Sequence, residues 1–157
     1  ADDKLQVEGK LPDHLHGSYL RNGPNPRFAP KGKYHWFDGD GMVQQFQIAQ
    51  GKVTHQGKFI RTKKYLVEEM AGAFRYHTAG TLVKNPLPVR NNDDLNVANT
   101  ALIPWQGEVL ALWEGGSPHR LAADSLATLG VKDFGEQYKQ LPIVGINEKG
   151  VYKVISR

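Results

Sequence analysis

The chain has 157 residues, of which 39% are hydrophobic; 20 Lys and Arg against 16 Asp and Glu give a formal charge of +4, and there is no cysteine. This length suits one domain or a piece of a larger one, and without cysteine there are no disulfides or thiolate metal sites, so any metal must bind nitrogen or oxygen. The mild positive charge lacks the clustered patch of a nucleic-acid module, and no apolar stretch is long enough to cross a bilayer.

The first residues, Ala1-Asp-Asp-Lys4, are charged and carry no apolar signal core, which reads as a processed or cut start. The 17 Gly and 9 Pro are spread along the chain, as many short strands joined by tight turns require, so the fold class is all-β. Tyr19 to Arg21 reads as a short strand that stops at Asn22-Gly-Pro-Asn-Pro26, because proline has no N–H to continue a ladder. Tyr34 to Phe37 and Met42 to Ala49 read as strands on either side of the Gly-rich reversal Asp38-Gly-Asp-Gly41. Its Asp-Gly pairs are expected to serve turns at positive φ. A calcium loop would need further oxygen ligands, which Gly41-Met42-Val43-Gln44 does not supply. Gln50-Gly51 then turns into a strand from Val53 to Ile60. Arg61-Thr-Lys-Lys64, the densest basic run, is expected to be a solvated strand end, with contact to phosphate or an anionic bilayer as the alternative. Tyr65 to Phe74 is the stretch compatible with a helix, and Asn85-Pro-Leu-Pro-Val89 and Asn91-Asn-Asp-Asp94 are loop-like. Ala101 to Pro104 and Val109 to Trp113 make a strand pair with Trp105-Gln-Gly107 at the corner, and Gly150-Val-Tyr-Lys-Val-Ile155 is a strand-like ending.

The chemistry is sparse. Six histidines, His14, His16, His35, His55, His77 and His119, offer the imidazole nitrogen that suits ferrous iron, but no spacing singles one out as a ligand. His35 and Trp36 are expected to form a half-buried aromatic pair bracing a turn. There is no Gly-x-Ser-x-Gly elbow, phosphate loop or His-Glu-x-x-His helix.

Four blocks in a fixed order say more than composition does. Gly17-Ser-Tyr-Leu-Arg-Asn-Gly-Pro-Asn-Pro26, His35-Trp-Phe-Asp-Gly-Asp-Gly-Met-Val43, Ala98-Asn-Thr100 and Leu110-Ala-Leu-Trp-Glu-Gly-Gly-Ser-Pro-His-Arg-Leu121 resemble the N-terminal portion of the carotenoid cleavage oxygenases, from about Leu11 to Pro142. The resemblance implies a seven-bladed β-propeller with a non-haem ferrous ion, Fe(2+), on its axis, held by four histidines. It also implies oxidative cleavage of a conjugated double bond in an apolar polyene (a carotenoid or apocarotenoid), or of a stilbene, with dioxygen. At roughly 40 to 50 residues per blade, residues 1–157 hold about three blades' worth of strands.

In such a propeller Arg21 and Asn22 are expected to pin the start through hydrogen bonds. Glu114 is expected to accept the distal N–H of an iron-bound imidazole, which fixes the tautomer and strengthens the ligand. Gln44 departs from the family, many members of which have histidine there. The first iron ligand would follow Leu141-Pro142 in an Ala-His-Pro segment, but Ile146 stands near that position and residues 143–157 diverge from the pattern. Isoleucine cannot bind iron. No histidine of this chain therefore inherits a metal-ligand role, no catalytic residue is assigned, and tight iron binding to this chain alone is not expected. A fragment, a shifted reading frame and a short paralogue fit this divergence equally. The alternative function is a non-catalytic β-rich interaction or membrane-surface module. The expected setting is the cytoplasm or a plastid, in soluble form or at a membrane surface, without nucleic acid as a partner.

Overall fold

The structure, a computed structural model, describes residues 5–30, 32–78, 85 and 87–135, together with the backbone of two strands at 143–146 and 152–155. Three antiparallel sheets account for the strands. The first has the order β1 (Gly17–Asn25), β2 (Asp40–Ala49), β3 (Lys52–Phe59). The second has the order β4 (Ala101–Trp105), β5 (Glu108–Leu112), β6 (His119–Ala122), β7 (Thr128–Val131), and the third pairs β8 (Ile143–Ile146) with β9 (Tyr152–Ile155). One α-helix, α1 (Lys63–Ala71), lies between the first two sheets in sequence. The expected β architecture holds.

Two hairpins set the register. Gln50 (φ 52°) and Gly51 (φ 72°) join Ala49 to its partner Lys52, and Gln106 (φ 48°) and Gly107 (φ 80°) join Trp105 to Glu108. Two successive residues at positive φ match the twist of the strands they connect. The core forms where one face of the first sheet meets the second: Val43, Ile60, Ala98, Val109, Ala111, Leu121 and Leu126 are buried together, with Leu20 and Leu102 packed against them.

Four expectations require correction. The first strand does not stop before the prolines. β1 runs to Asn25, with Pro24 opposite Gly41. It is an edge strand, where a proline N facing away from the neighbour costs no ladder bond. Tyr34–Phe37 is not a strand either, because Trp36–Asp38 forms a 3-10 turn whose preceding residue, His35, accepts a hydrogen bond from the Phe37 N–H. Third, Asp38-Gly-Asp-Gly41 is not a positive-φ reversal: Gly39 has φ −68°, and β2 begins at Asp40. Its glycines are needed for close approach. A Cβ on Gly39 would lie 2.6 Å from the Asn25 nitrogen, and one on Gly41 would lie 2.5 Å from the Ala98 oxygen.

The fourth correction is the basic run. Thr62 caps α1 by accepting from the Tyr65 N–H, and Gly72 closes the helix at φ 60°. Lys64, in the first turn, is fully buried. Its ammonium lies 2.9 Å from Asp40 Oδ1, 2.8 Å from Glu68 Oε2 and 5.1 Å from the centre of the Phe74 ring. Glu68 Oε1 in turn accepts the N–H groups of Arg75 and Tyr76, each at 2.9 Å. Asp38, also buried, accepts from the Thr78 N–H and hydroxyl. The other cations of the run form ion pairs, Arg61 with Glu69 and Lys63 with Asp94, so the run is a helix start that holds carboxylates.

Lys64→Met keeps the side-chain length but leaves two buried carboxylates without their cation. It should cost about 3–5 kcal/mol of unfolding free energy, read by urea denaturation at neutral pH. Gly41→Ala forces a methyl against backbone and should cost roughly 1–3 kcal/mol. Gly57→Ala, which meets the mobile end of Met42, should cost clearly less in the same assay.

Candidate functional site

Asn96-Val-Ala-Asn-Thr100 joins the two larger sheets. Its first four residues are buried, and polar side chains satisfy the backbone around them, as a dry crossing requires. Asn99 Nδ2 donates to the carbonyls of Phe37 (2.9 Å) and Gly39 (2.7 Å). Gly41 N–H donates to Val97 O, and Asn22 Nδ2 donates to Ala98 O, both at 2.7 Å. Asn22 therefore performs the pinning expected of it. The Arg21 side chain is exposed and makes no hydrogen bond or ion pair among the described residues.

Thr100 follows directly and donates its hydroxyl to Glu114 Oε2 at 2.8 Å, while its N–H bonds to Leu112 O at the end of β5. Glu114 is exposed just beyond β5, so one carboxylate oxygen is held by Thr100 and the other is open to a further donor. The glycines after it permit the turn. A Cβ on Gly115 would lie 2.7 Å from the Trp113 ring, and one on Gly116 would lie 2.5 Å from Asn96 Nδ2 and 2.7 Å from Asp93 Oδ1. The Trp-Glu-Gly-Gly block is thus a tight corner packed on its own tryptophan and on the Asn91–Asn96 turn.

Asp93 holds that corner. It accepts from the Ser117 N–H (2.7 Å), the Ser117 hydroxyl (2.8 Å) and Asn96 Nδ2 (2.9 Å). Burial pushes its carboxyl up, but the bonds from Asn96 and Ser117 outweigh this and leave it below the usual carboxylate range. The hydrogen bond from Lys63 similarly keeps Asp94 below that range. His119, on β6, is 4% exposed, and among the described residues its Nδ1 has no hydrogen-bond partner. Burial lowers its pKa, against the opposing pull of Asp93, so the ring is held neutral.

The other histidines are scattered. His14 and His16 are exposed, and His16 Nδ1 lies 3.0 Å from the His14 carbonyl. His35 is also exposed, and Trp36 is 81% exposed, so the half-buried pair expected there does not form, although His35 does brace the turn. His55 bonds to Gln44 Oε1 at 2.6 Å, the position where the family often has histidine. His77 is buried with Nδ1 3.7 Å from Asp38 Oδ2. Among the described residues no group of three or more His, Asp or Glu side chains converges as a metal site, so these residues alone do not complete an iron site. Ile146 is described only as backbone within β8, and Leu141-Pro142 lies outside the described residues. The Thr100 hydroxyl and the Asp93 brace escaped the sequence reading. The only available signal for them was that Thr100 ends one motif block and Asp93 sits in a polar loop.

A family model described as retinal pigment epithelial membrane protein, RPE65, matches residues 1–148. An apocarotenoid-15,15′-oxygenase of Synechocystis is 42% identical over 137 residues, spanning 82% of this chain and 27% of the relative. A carotenoid 9,10(9′,10′)-cleavage dioxygenase of Phaseolus vulgaris is 36% identical over 153 residues, 85% of this chain and 28% of the relative. The crystal structure of a Pseudomonas brassicacearum lignostilbene dioxygenase superposes with a TM-score of 0.76 at 31% identity, covering 88% of this chain and 28% of that one. The chain therefore spans little more than a quarter of the length of the relatives it matches.

The buried His119 gives a signed pH prediction. In the unfolded chain it titrates near 6.5 and in the folded chain lower, so the unfolded state binds more protons in between and stability falls as pH drops below about 6.5. His119→Phe should flatten that part of the unfolding free-energy profile. Asp93 and Asp94 act at lower pH: their contribution is full above about 3.9 and is lost as pH falls through their depressed folded values. Asp93→Asn should flatten the acid limb, lower stability above it and, by removing the charge that opposes burial at His119, steepen the limb below about 6.5.

Proposed function

The chain belongs to the RPE65/carotenoid cleavage oxygenase family, and from that premise we propose that it contributes the N-terminal segment of a β-propeller dioxygenase. The proposed reaction uses non-haem ferrous iron and dioxygen to cleave a conjugated double bond of a carotenoid or apocarotenoid. The observation that carries this reading is the corner at Glu114. Its carboxylate is fixed by Thr100 on one oxygen and offers the other to a ring N–H, the arrangement that orients an iron-bound imidazole. Ferrous iron would supply dioxygen activation; this segment would supply the carboxylate and the corner that holds it. An aromatic alkene of stilbene type is the alternative substrate, supported by likeness to the lignostilbene dioxygenase. A contact with a membrane surface is the second reading. It is favoured by the exposed Trp36 (81%) and Phe37 (63%), since no helix among the described residues is long and apolar enough to cross a bilayer. Plastid residence is supported by a chloroplastic dioxygenase relative from Arabidopsis thaliana, 35% identical over 147 residues, 82% of this chain and 25% of that relative.

The direct test replaces the matched segment of the Synechocystis enzyme with this chain. The chimera should cleave an apocarotenoid in preference to a stilbene; the reverse preference would move the assignment to the aromatic alkene. Within the chimera Glu114→Gln should weaken iron retention roughly 10- to 100-fold, measured by metal content after dialysis. The isolated chain with added ferrous iron should show no turnover of β-carotene.

A further inference from the structure

Asn22-Gly23 is the one Asn-Gly pair of the chain, and it lies inside β1, where the first sheet meets the crossing to the second. Asn22 and Gly23 stand opposite Val43 and Met42 of β2. The Asn22 amide is held at both ends: Nδ2 donates to Ala98 O at 2.7 Å, and Oδ1 accepts the Gly23 N–H at 3.1 Å. The residue that Asn22 holds is itself strained. Ala98 is fully buried and stands at φ 46°, in the left-handed region that a side chain disfavours, so it keeps this conformation only while its surroundings fix it. Asn22 fixes its carbonyl, and Asn96 Oδ1 accepts its N–H at 2.9 Å.

We infer that Asn22 is a self-modification site, shielded while the chain is folded and open to deamidation when it unfolds, and that the product cannot rebuild the contact with Ala98. An Asn-Gly pair cyclises readily because glycine has no Cβ to hinder the approach of its nitrogen. The Gly23 nitrogen, having given its proton to solvent, bonds to Asn22 Cγ; the Cγ–Nδ2 bond breaks, and Nδ2 leaves as ammonia with a proton from water. Water then opens the succinimide at Cγ, giving aspartate, or at the backbone carbonyl carbon of the same residue, giving isoaspartate. One water enters, one ammonia leaves, and nothing is oxidised or reduced. In the fold this route is closed. Gly23 directs its N–H at Oδ1 instead of offering its nitrogen to Cγ, Ala98 retains Nδ2, and the ladder on β2 restrains the backbone rotation that ring closure needs. Unfolding removes all three restraints. On refolding, the aspartate product places a carboxylate against a buried carbonyl, two acceptors with no proton between them. The isoaspartate product adds a methylene to the backbone of β1 and breaks its register against β2. Neither step depends on iron or on a polyene substrate.

The test holds the full 157-residue chain at neutral pH and physiological temperature, in buffer and in urea, and follows Asn22 by mass spectrometry over time. Trypsin releases Asn22–Arg27, in which Asn25 precedes proline and has no neighbouring N–H to cyclise with, so the mass gain reports Asn22. Modification should be at least tenfold faster in urea than in buffer, and the refolded fraction, read by circular dichroism and sedimentation, should fall in step with it. Gly23→Ala isolates the step: a Cβ there meets nothing within 4 Å, so the fold accepts it, while the methyl hinders ring closure. This variant should modify at least tenfold more slowly in urea and keep its refolding yield; if it does not fold, the wild-type rates in buffer and urea decide. Asp38-Gly39 and Asp40-Gly41 can cyclise by the same attack with loss of water. Refolding loss of equal size in Gly23→Ala would assign the loss to them and overturn the inference. Equal Asn22 rates in urea and in a natively folded chain would overturn it too, as would modified chains that refold as completely as unmodified ones. If the isolated chain is unfolded in buffer, the same comparison is made in the chimera with the Synechocystis enzyme, with the same outcomes.

Discussion

A single buried ammonium ties the start of one strand to a helix 24 positions later and, through that helix, to the chain that follows it. Lys64 meets Asp40 at the start of β2 and Glu68 one turn along its own helix, and Glu68 carries the connection on to the backbone of Arg75 and Tyr76. The desolvation cost of such a group is large, and it is offset only when every lone pair and proton finds a partner. Here the partners are supplied from both sides, with the Phe74 ring over the ammonium. The arrangement explains why a short helix follows β3. It pairs with Asp40, the second interior carboxylate of the Asp-Gly-Asp-Gly block, and anchors the end of the sheet from which the crossing to the second sheet departs.

That crossing depends on the same block. Gly39 and Gly41 permit β1 and the Val97–Ala98 backbone to approach within hydrogen-bonding distance, and Asn99 ties the two carbonyls of the 3-10 turn. Thr100 then emerges in position to hold Glu114. The candidate site is consequently the last link of a chain of close backbone contacts. Glu114 is placed by buried amides and glycines together with the Asp93 carboxylate that braces the corner.

The legibility of the sequence was uneven, and the pattern has a physical cause. Local chemistry was readable. Gln50-Gly51 and Gln106-Gly107 turned where turns were expected, with all four residues at positive φ, α1 overlapped the predicted helical stretch, and the ordered blocks marked Glu114. Errors arose where a residue's role depended on contacts far away in sequence. Lys64 was read within a solvated run and Asp38 and Asp40 as turn residues, but all three are buried, because their partners come from separate elements. Pro24 looked like a strand stop and sits inside β1, because no local signal states that the strand is an edge. The glycines of Asp-Gly-Asp-Gly were attributed to turns, but serve to admit a neighbouring backbone.

By itself the sequence determined the family, the β-rich class and the hairpin corners, since each is written in residue types at short spacing. Tertiary structure alone decided which charges are interior and which polar groups hold the Trp-Glu-Gly-Gly corner. Burial and pairing are properties of segments brought together by packing: Lys64 finds Asp40 across 24 positions and Asn22 finds Ala98 across 76, separations at which local propensity carries no information.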